Sequence, residues 1–433
     1  MYENSCLPAK SLSSRASSHI SLSAPSTPFS ESCLSLSTVA TPATEVSALF
    51  GNAQSSSSFN ESSGDDFILV VGGLGYIGSH TSWELLKAGQ NVIIIDNLSN
   101  SNLDVFHKLR SLRNRHFKTR RSRPLLDFFK ADYRDQQQLR PILTRYGNPL
   151  ASHVESSQST ISGVIHFAAY KSVGESFEKP LEYYANNVGG MIDFCTTLAE
   201  FNIKTFIFSS SATVYGSLAS KEGRFVEKQC DRSSCVGLTN PYGRTKWMCE
   251  AILNDLAASD PSWTIMALRY FNPIGCDPSG LLGEDPRDTP NNLMPIVIKA
   301  MMGESPALNI FGTDWDTPDG TAIRDFIHVS DLANGHLAAL KAAKSFTSGY
   351  HTFNLGTGSG HSVKNVINAM EQASGRTVPI KVSGRRKGDI GVCVAESSKS
   401  AVMLGWKAER TLNDACEDIC RYLKLNDTGG ISA

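Results

Sequence analysis

FILVVGGLGYIGSHTSWELLKAGQNVIIID, residues 67 to 96, decides how the rest of this chain is read. Phe67 to Val71 is a short apolar run rich in valine and isoleucine, and Gly72, Gly73, Gly75 and Gly78 follow it at once. Ile77 to Lys87 then carries a helical pattern that stops at Gly89, and Asn91 to Asp96 is a second apolar run ending in a carboxylate. Strand, glycine turn, helix and strand make one βαβ unit. Runs of the same kind recur at GVIHFA (Gly163 to Ala168), KTFIFSS (Lys204 to Ser210) and TIMALRYF (Thr264 to Phe271), with room for a helix between them. Such alternation predicts an α/β chain built on a doubly wound parallel sheet. After Asn272 the texture loosens into Pro- and Gly-rich loops, which predicts a second, smaller domain of mixed elements. The boundaries expected are 65–271 with about 320–345 for the first domain, and 272–319 with 346–425 for the second.

Outside that body the composition changes. Residues 1 to 64 hold 20 serines and few apolar clusters, too little burial to offset the entropy of ordering them, so a disordered leader is expected, with a short tail at 426–433. The 433 residues exclude one small domain, and 41 Lys+Arg against 42 Asp+Glu give no global attraction to nucleic acid or anionic membrane. His107 to Arg123 carries eight basic residues and no acid, but without aromatic interleaving it reads as a solvated face. No apolar run approaches the roughly 20 residues that cross a bilayer. Ten cysteines in no secreted spacing pattern suggest reduced thiols in the cytoplasm, and Cys230 and Cys235 lack the paired clusters of a metal site.

The glycines suit a dinucleotide. Missing side chains at Gly72, Gly75 and Gly78 allow a tight turn, close approach of backbone to a pyrophosphate, and contact of helix with strand, while the helix N-terminus attracts the anion. Asp96, 24 residues beyond Gly72, can accept hydrogen bonds from an adenosine ribose and would repel a 2′-phosphate. With Asn97 rather than Arg beside it, NAD is favoured over NADP.

Tyr242 and Lys246 form Tyr-x-x-x-Lys in NPYGRTKWMCE, a helical stretch that puts i and i+4 on one face. Ser211 closes an apolar strand, at the end of a doubly wound sheet where ligands bind. A phenol acting as a base at pH 7 needs its pKa lowered by about 3 units, or about 4 kcal/mol. Lys246 and an oxidised nicotinamide would both favour the phenolate, and Ser211 can relay the proton or hold a substrate oxygen.

These residues, in GGLGYIGSH, DNLSNS, SSSATVYG and NPYGRTK, resemble the extended short-chain dehydrogenase/reductase superfamily, with its Rossmann sheet. More narrowly, VGESFEKPLEYYANNV, RYFNPIGCDPSG, GEDPRDTPNNLMP, IFGTDWDTPDGTAIRDFIHVSDLANGH and RRKGDIG resemble the UDP-glucose 4-epimerase family, over about Phe67 to Leu425. That resemblance implies a cofactor site of Gly72, Gly75, Tyr76, Ile77, Gly78, Asp96, Asn97, Asp132, Tyr133, Phe167, Ala168, Lys171, Asn186, Tyr242, Lys246 and Tyr270. Relatives usually carry Ile or Val where Tyr133 stands. For the sugar nucleotide it implies Lys171, Ser211, Thr213, Phe271, Asn272, Asn292, Leu293, Phe311, Arg324, Arg386, Asp389 and Cys393. The two arginines suit a diphosphate, and Phe311 can cover a uracil. Cys393, four residues after Asp389, would border the hexose.

The activity implied is reversible inversion at C4 of a UDP-hexose through a 4-keto intermediate, with tightly bound NAD and a homodimer as one possible state. A dehydratase or decarboxylase of the same superfamily would need a further acid or base beside the serine, where this chain has Ala212 and Thr213. A non-enzymatic NAD-sensing protein on this fold would have no need of Tyr242 and Lys246.

Overall fold

Alternate residues of the central strands belong to two separate apolar cores, which is why their sequences read as unbroken apolar runs. In the computed structural model, which describes residues 66–425 except 120–122, 148, 150–158, 218–222, 231–236, 286, 288–289, 291 and 387–388, seven strands form one sheet. They are β1 (Phe67–Val71), β2 (Asn91–Asp96), β3 (Leu126–Lys130), β4 (Ile161–His166), β5 (Thr205–Ser211), β6 (Thr264–Tyr270) and β7 (Gly349–Leu355). Their order is 7-6-5-4-1-2-3 and every pairing is parallel. Leu69, Val71, Ile93, Ile95 and Phe206 face the helices Gln136–Leu143, Gly190–Glu200 and Pro241–Ser259. Ile68, Val70, Ile94, Ile207 and Leu268 face Tyr76–Lys87, Leu103–His116 and Val329–Ala343. The expected leader, residues 1–64, and tail, 426–433, lie outside the described residues.

A smaller mixed sheet centres on Ile323–His328, which pairs in parallel with Asn272–Ile274 and Val392–Ala395 and antiparallel with Gly360–Ser362. Helices Leu293–Met301, Val363–Ser374 and Leu412–Tyr422 cover it through Val297, Met370 and Ile419. The expected boundaries differ from these pairings in three places. Ile323–His328 was expected with the first domain but pairs in the smaller sheet, and only the following helix packs on the large one. Gly349–Leu355 was expected in the second domain but extends the large sheet at β6. Its sequence, GYHTFNL, has little of the β-branched density that marks the inner strands, because an edge strand has less apolar surface to cover. Arg224–Phe225, inside the span given to the first domain, pairs with Val394–Ala395 of the smaller sheet.

Candidate active site

The glycine turn is built for close approach. Gly72 has φ +74°, and a Cβ there would lie 2.8 Å from the Ala168 nitrogen. A Cβ on Gly78 would come within 2.2 Å of the Gly72 carbonyl oxygen. Gly75 is the N-cap of helix Tyr76–Lys87 and has no side chain with which to cap it. The amides of the first helical turn are therefore left for an anion. The Tyr76 hydroxyl donates to the Gly275 carbonyl at 2.7 Å, tying this helix to the chain after β6. Ile77, next to it, packs at the edge of the core that contains Ile68, Val70 and Ile94.

At the ends of β2 and β3 the polar residues are held by one another. Asp96 accepts from the amides of Leu74 at 3.0 Å and Leu98 at 2.9 Å and from the Ser101 hydroxyl at 2.7 Å. Asn97 Nδ2 donates to Asp132 at 3.1 Å, and Arg134 clamps the same carboxylate through Nε at 2.9 Å and Nη2 at 2.7 Å. Burial alone would raise the Asp132 pKa, but these donors hold it at about 2. Tyr133 turns the other way. Its ring packs edge-on against His166, 4.8 Å between centroids, and its hydroxyl donates to the Asn186 carbonyl at 2.5 Å. The ring thus packs into the core against His166 and Phe194.

Catalytic candidates converge at the end of β5. Helix Pro241–Ser259 starts there because Asn240 Oδ1 accepts from Gly243 N at 2.7 Å and Pro241 occupies the first turn. It presents Tyr242 and Lys246, 8 % and 3 % exposed, toward the strand. Ser211, whose hydroxyl lies near the Tyr242 phenol, accepts at Oγ from Thr213 N at 3.2 Å and Thr213 Oγ1 at 3.0 Å. Lys246 Nζ donates to the Ser209 carbonyl at 2.7 Å and lies 4.8 Å from the centre of the Phe208 ring. Burial pushes the Tyr242 phenol up to about 12, against the nearby Ser211 hydroxyl, which pulls it down. Burial brings the Lys246 ammonium down to about 8.

Lys246 yields a stability prediction with a definite sign. Its pKa falls from 10.5 to about 8 on folding, so the folded state holds that proton less well than the unfolded chain. The shift destabilises the fold by about 3 kcal/mol at pH below 8, and this cost fades as pH rises toward 10.5. Lys246→Met, stripped of nucleotide, is expected to melt a few degrees above the parent at pH 7 and to lose that advantage by pH 10.5. Thermal scans of both proteins across that range check it, and a lower melting point at pH 7 contradicts it.

Other candidates surround this pair. Phe167 and Tyr270 both lie against His336, at 4.7 and 5.8 Å between ring centres. Asn186 lies in a π-helical turn, Tyr184–Gly189, with its Nδ2 on Asn187 Oδ1 at 2.8 Å. Cys393 packs with Phe271 and Phe225 and sits opposite Arg324 in register. Arg324 Nη1 donates to the carbonyl of Ile323 at 2.8 Å. Asn272 and Asn292 are exposed, and Asn292 stands at the N-terminal boundary of the helix that begins at Leu293 without a side-chain cap bond. The face of Phe311 is covered by the Arg386 guanidinium at 4.6 Å, with Arg386 also on Asp389 at 3.0 Å. A uracil on that face would displace the arginine.

Two site residues escaped the sequence reading. Glu284 accepts from Lys171 at 3.5 Å and from Asn292 at 3.1 Å, bridging loops from the two sheets. Nothing in GEDPRDTP marks it as a bridge. Arg134 could have been noticed, since it follows Asp132 by two residues in DYRD.

A dinucleotide cradle joined to a buried serine, tyrosine and lysine defines a class, and the chain belongs to the NAD dependent epimerase/dehydratase family, whose model matches residues 68–356. Within it the chain is similar to UDP-glucose 4-epimerases over nearly their whole length. It is 44% identical to that of Dictyostelium discoideum across 365 residues, 84% of this chain and 98% of the relative, and 43% identical to the mouse enzyme across 362. Among solved structures, the UDP-glucose 4-epimerase from Bifidobacterium longum in complex with NAD+ and UDP is 41% identical, with a TM-score of 0.73 over 84% of this chain and all of that one. The UDP-Glc/GlcNAc 4-epimerase from Campylobacter jejuni is 33% identical, with a TM-score of 0.66 over 83% of this chain and 99% of that one.

Proposed function

We propose that this protein is an isomerase that interconverts UDP-glucose and UDP-galactose by inverting C4 of the hexose, in galactose metabolism. The observation that carries this reading is the convergence of Tyr242, Lys246 and Ser211 beside the glycine turn, in a chain so similar to known UDP-glucose 4-epimerases.

The residues fit NAD. Gly72 and Gly78 leave space that a Cβ would fill, and the uncapped helix turn at Gly75, Tyr76 and Ile77 suits a pyrophosphate. Asp96, Asn97 and Asp132 suit the adenosine end, and Phe167, Ala168, Lys171, Asn186 and Tyr270 would line the remainder. Bound there, NAD would supply reversible acceptance of the C4 hydride and a positive charge that favours the phenolate.

Tyr242 takes the proton of the 4-hydroxyl and gives one back after the sugar has turned. From about 12 this phenol must come down some 5 units, or about 7 kcal/mol, which exceeds what one neighbouring cation ordinarily supplies. Lys246, one turn along the same helix face, would contribute its positive charge to favour the phenolate. Ser211, with Thr213 behind it, holds the sugar oxygen on line with Tyr242. Asn272, Asn292, Leu293, Phe311, Arg324, Arg386 and Asp389 grip the UDP, leaving the hexose loose enough to rotate beside Phe271 and Cys393.

Incubation with UDP-galactose and no added reductant tests the reading. Appearance of UDP-glucose by NMR supports it. Loss of water from the sugar would indicate a dehydratase, and an unchanged substrate would favour a protein that only binds NAD.

A homodimer is part of the proposal. Val173, Phe177, Leu181, Ile192 and Met248 are exposed on neighbouring helices of one side of the large sheet, Leu181 by 80%. A second copy seated there would cover them. Light scattering is expected to give twice the chain mass, and Phe177→Glu with Leu181→Glu is expected to give a monomer. A monomeric parent rules the dimer out. The cytoplasm is the compartment we assign. Cys195, Cys249, Cys276, Cys393, Cys416 and Cys420 are free, and no helix among the described residues is long and apolar enough to cross a membrane.

A further inference from the structure

A polar seam crosses the apolar packing between helix Pro241–Ser259 and the sheet. Tyr242, Lys246 and Glu250 are spaced i, i+4 and i+8 and share a helix face. Each meets a serine at the end of β5. Tyr242 lies beside Ser211, Lys246 Nζ donates to the Ser209 carbonyl, and Glu250 Oε1 accepts from the Ser210 hydroxyl. The mechanism above uses the first two and leaves Glu250 without a task.

Glu250 also takes a two-pronged bond from Arg269, Nε to Oε1 at 2.9 Å and Nη2 to Oε2 at 2.6 Å. Arg269 stands opposite Ser210 in the β5–β6 register, so one carboxylate pins two neighbouring strands to the catalytic helix. Arg269 then reaches further. Its Nη1 donates to the Glu227 carbonyl at 3.0 Å and the Tyr215 hydroxyl at 3.3 Å, and its Nη2 to the Cys230 carbonyl at 2.9 Å. The Tyr215 hydroxyl donates to Asn354 Oδ1 at 2.6 Å, and Asn354 Nδ2 donates to the Phe225 carbonyl at 2.8 Å. Phe225 pairs with the strand that carries Cys393, which lies opposite Arg324. An unbroken set of bonds thus runs from the helix of Tyr242 to the strand on the sugar side.

Stability alone gives no reason for this pair. Arg269 and Glu250 are 2% and 5% exposed in their side chains, and buried ion pairs are often matched or bettered by apolar residues of similar volume. What an apolar pair cannot supply is directional registry across a helix, two strands and a distant loop. We propose that Glu250 and Arg269 are positioning residues for epimerisation, setting the distance between the Tyr242–Lys246 pair and the strand Val392–Ala395. The inference rests on the epimerase reading. Small displacements of a reacting group cost rate steeply, so loosened registry falls on turnover before it falls on folding.

The test compares full-length, NAD-loaded parent protein with Glu250→Leu/Arg269→Met and with Glu250→Gln. Melting temperature, NAD released on denaturation, and kcat and KM for UDP-galactose are measured for each. The double variant is expected to melt within about 5 °C of the parent or above it, because the buried charges leave together. Its kcat per NAD-loaded protomer is expected to fall by tenfold or more, as misplacement of a reacting group does, while KM changes little. A kcat loss under about fivefold per loaded protomer in that stable variant overturns the proposal, since packing then suffices. Should the double variant fail to fold, the same criterion is applied to Glu250→Gln. An inactive parent overturns the epimerase reading, and this inference with it.

Discussion

Tyr242→Phe is expected to fold, to retain NAD, and to lose roughly two to four orders of magnitude in turnover of UDP-galactose. The substitution removes one oxygen from a side chain that is 8% exposed, so the packing of helix Pro241–Ser259 on β5 stays as it is. Ser211 keeps its bonds with Thr213 N and Oγ1 and is not left without partners. KM should change little, because the UDP is gripped elsewhere. Single-turnover measurement on protein of known NAD content checks the effect, and near-normal turnover would remove Tyr242 from the role of base.

Cys393→Tyr is expected to separate two substrate pairs. Cys393 is small and packs against Phe271 beside Arg324, and burial pushes its thiol up to about 12, so it stays neutral and inert. If Cys393 borders the hexose, as proposed, its small side chain would leave room for the sugar to turn even with an N-acetyl group at C2. The parent protein is therefore expected to interconvert UDP-N-acetylglucosamine and UDP-N-acetylgalactosamine as well. A tyrosine adds volume where a filled pocket resists it by about 1 to 3 kcal/mol or more, which amounts to about a fivefold to hundredfold loss on the acetylated pair alone. Assays of both pairs on both proteins, with melting temperatures alongside, decide it. Equal losses on both pairs, or a parent inactive on the acetylated pair, would mean that the pocket width is set by other residues.

What the chain declared in its sequence was local. A strand, glycines at fixed offsets and a helix are neighbours in sequence and in space, so GGLGYIGSH carries its own geometry; likewise a spacing of four puts Tyr242 and Lys246 together on any helix. Burial on both faces also wrote the inner strands plainly, as in Asn91–Asp96. The obscure parts depend on distant partners. Gly349–Leu355 is a strand because β6 leaves an edge free, and Arg224–Phe225 because Val394–Ala395 lies alongside. The direction of the Tyr133 ring is set by His166 and Phe194, neither of them near it in sequence. The bond between Glu250 and Arg269 joins residues that no periodicity links.

The short pairing of Arg224–Phe225 with Val394–Ala395 has a consequence for modularity. Between β5 and β7 the chain visits the smaller sheet at Arg224–Phe225, again at Asn272–Ile274, and again at Ile323–His328. The two sheets are stitched by repeated crossings, unlike beads joined by one linker that could be cut. Neither half is therefore expected to survive excision, and urea should melt both in a single transition reported alike by tryptophan fluorescence and by circular dichroism. Two resolved transitions would mean that the stitches are slack. In evolutionary terms, a body woven this way cannot trade one half for another by gene fusion; new specificities must arise by substitution within it.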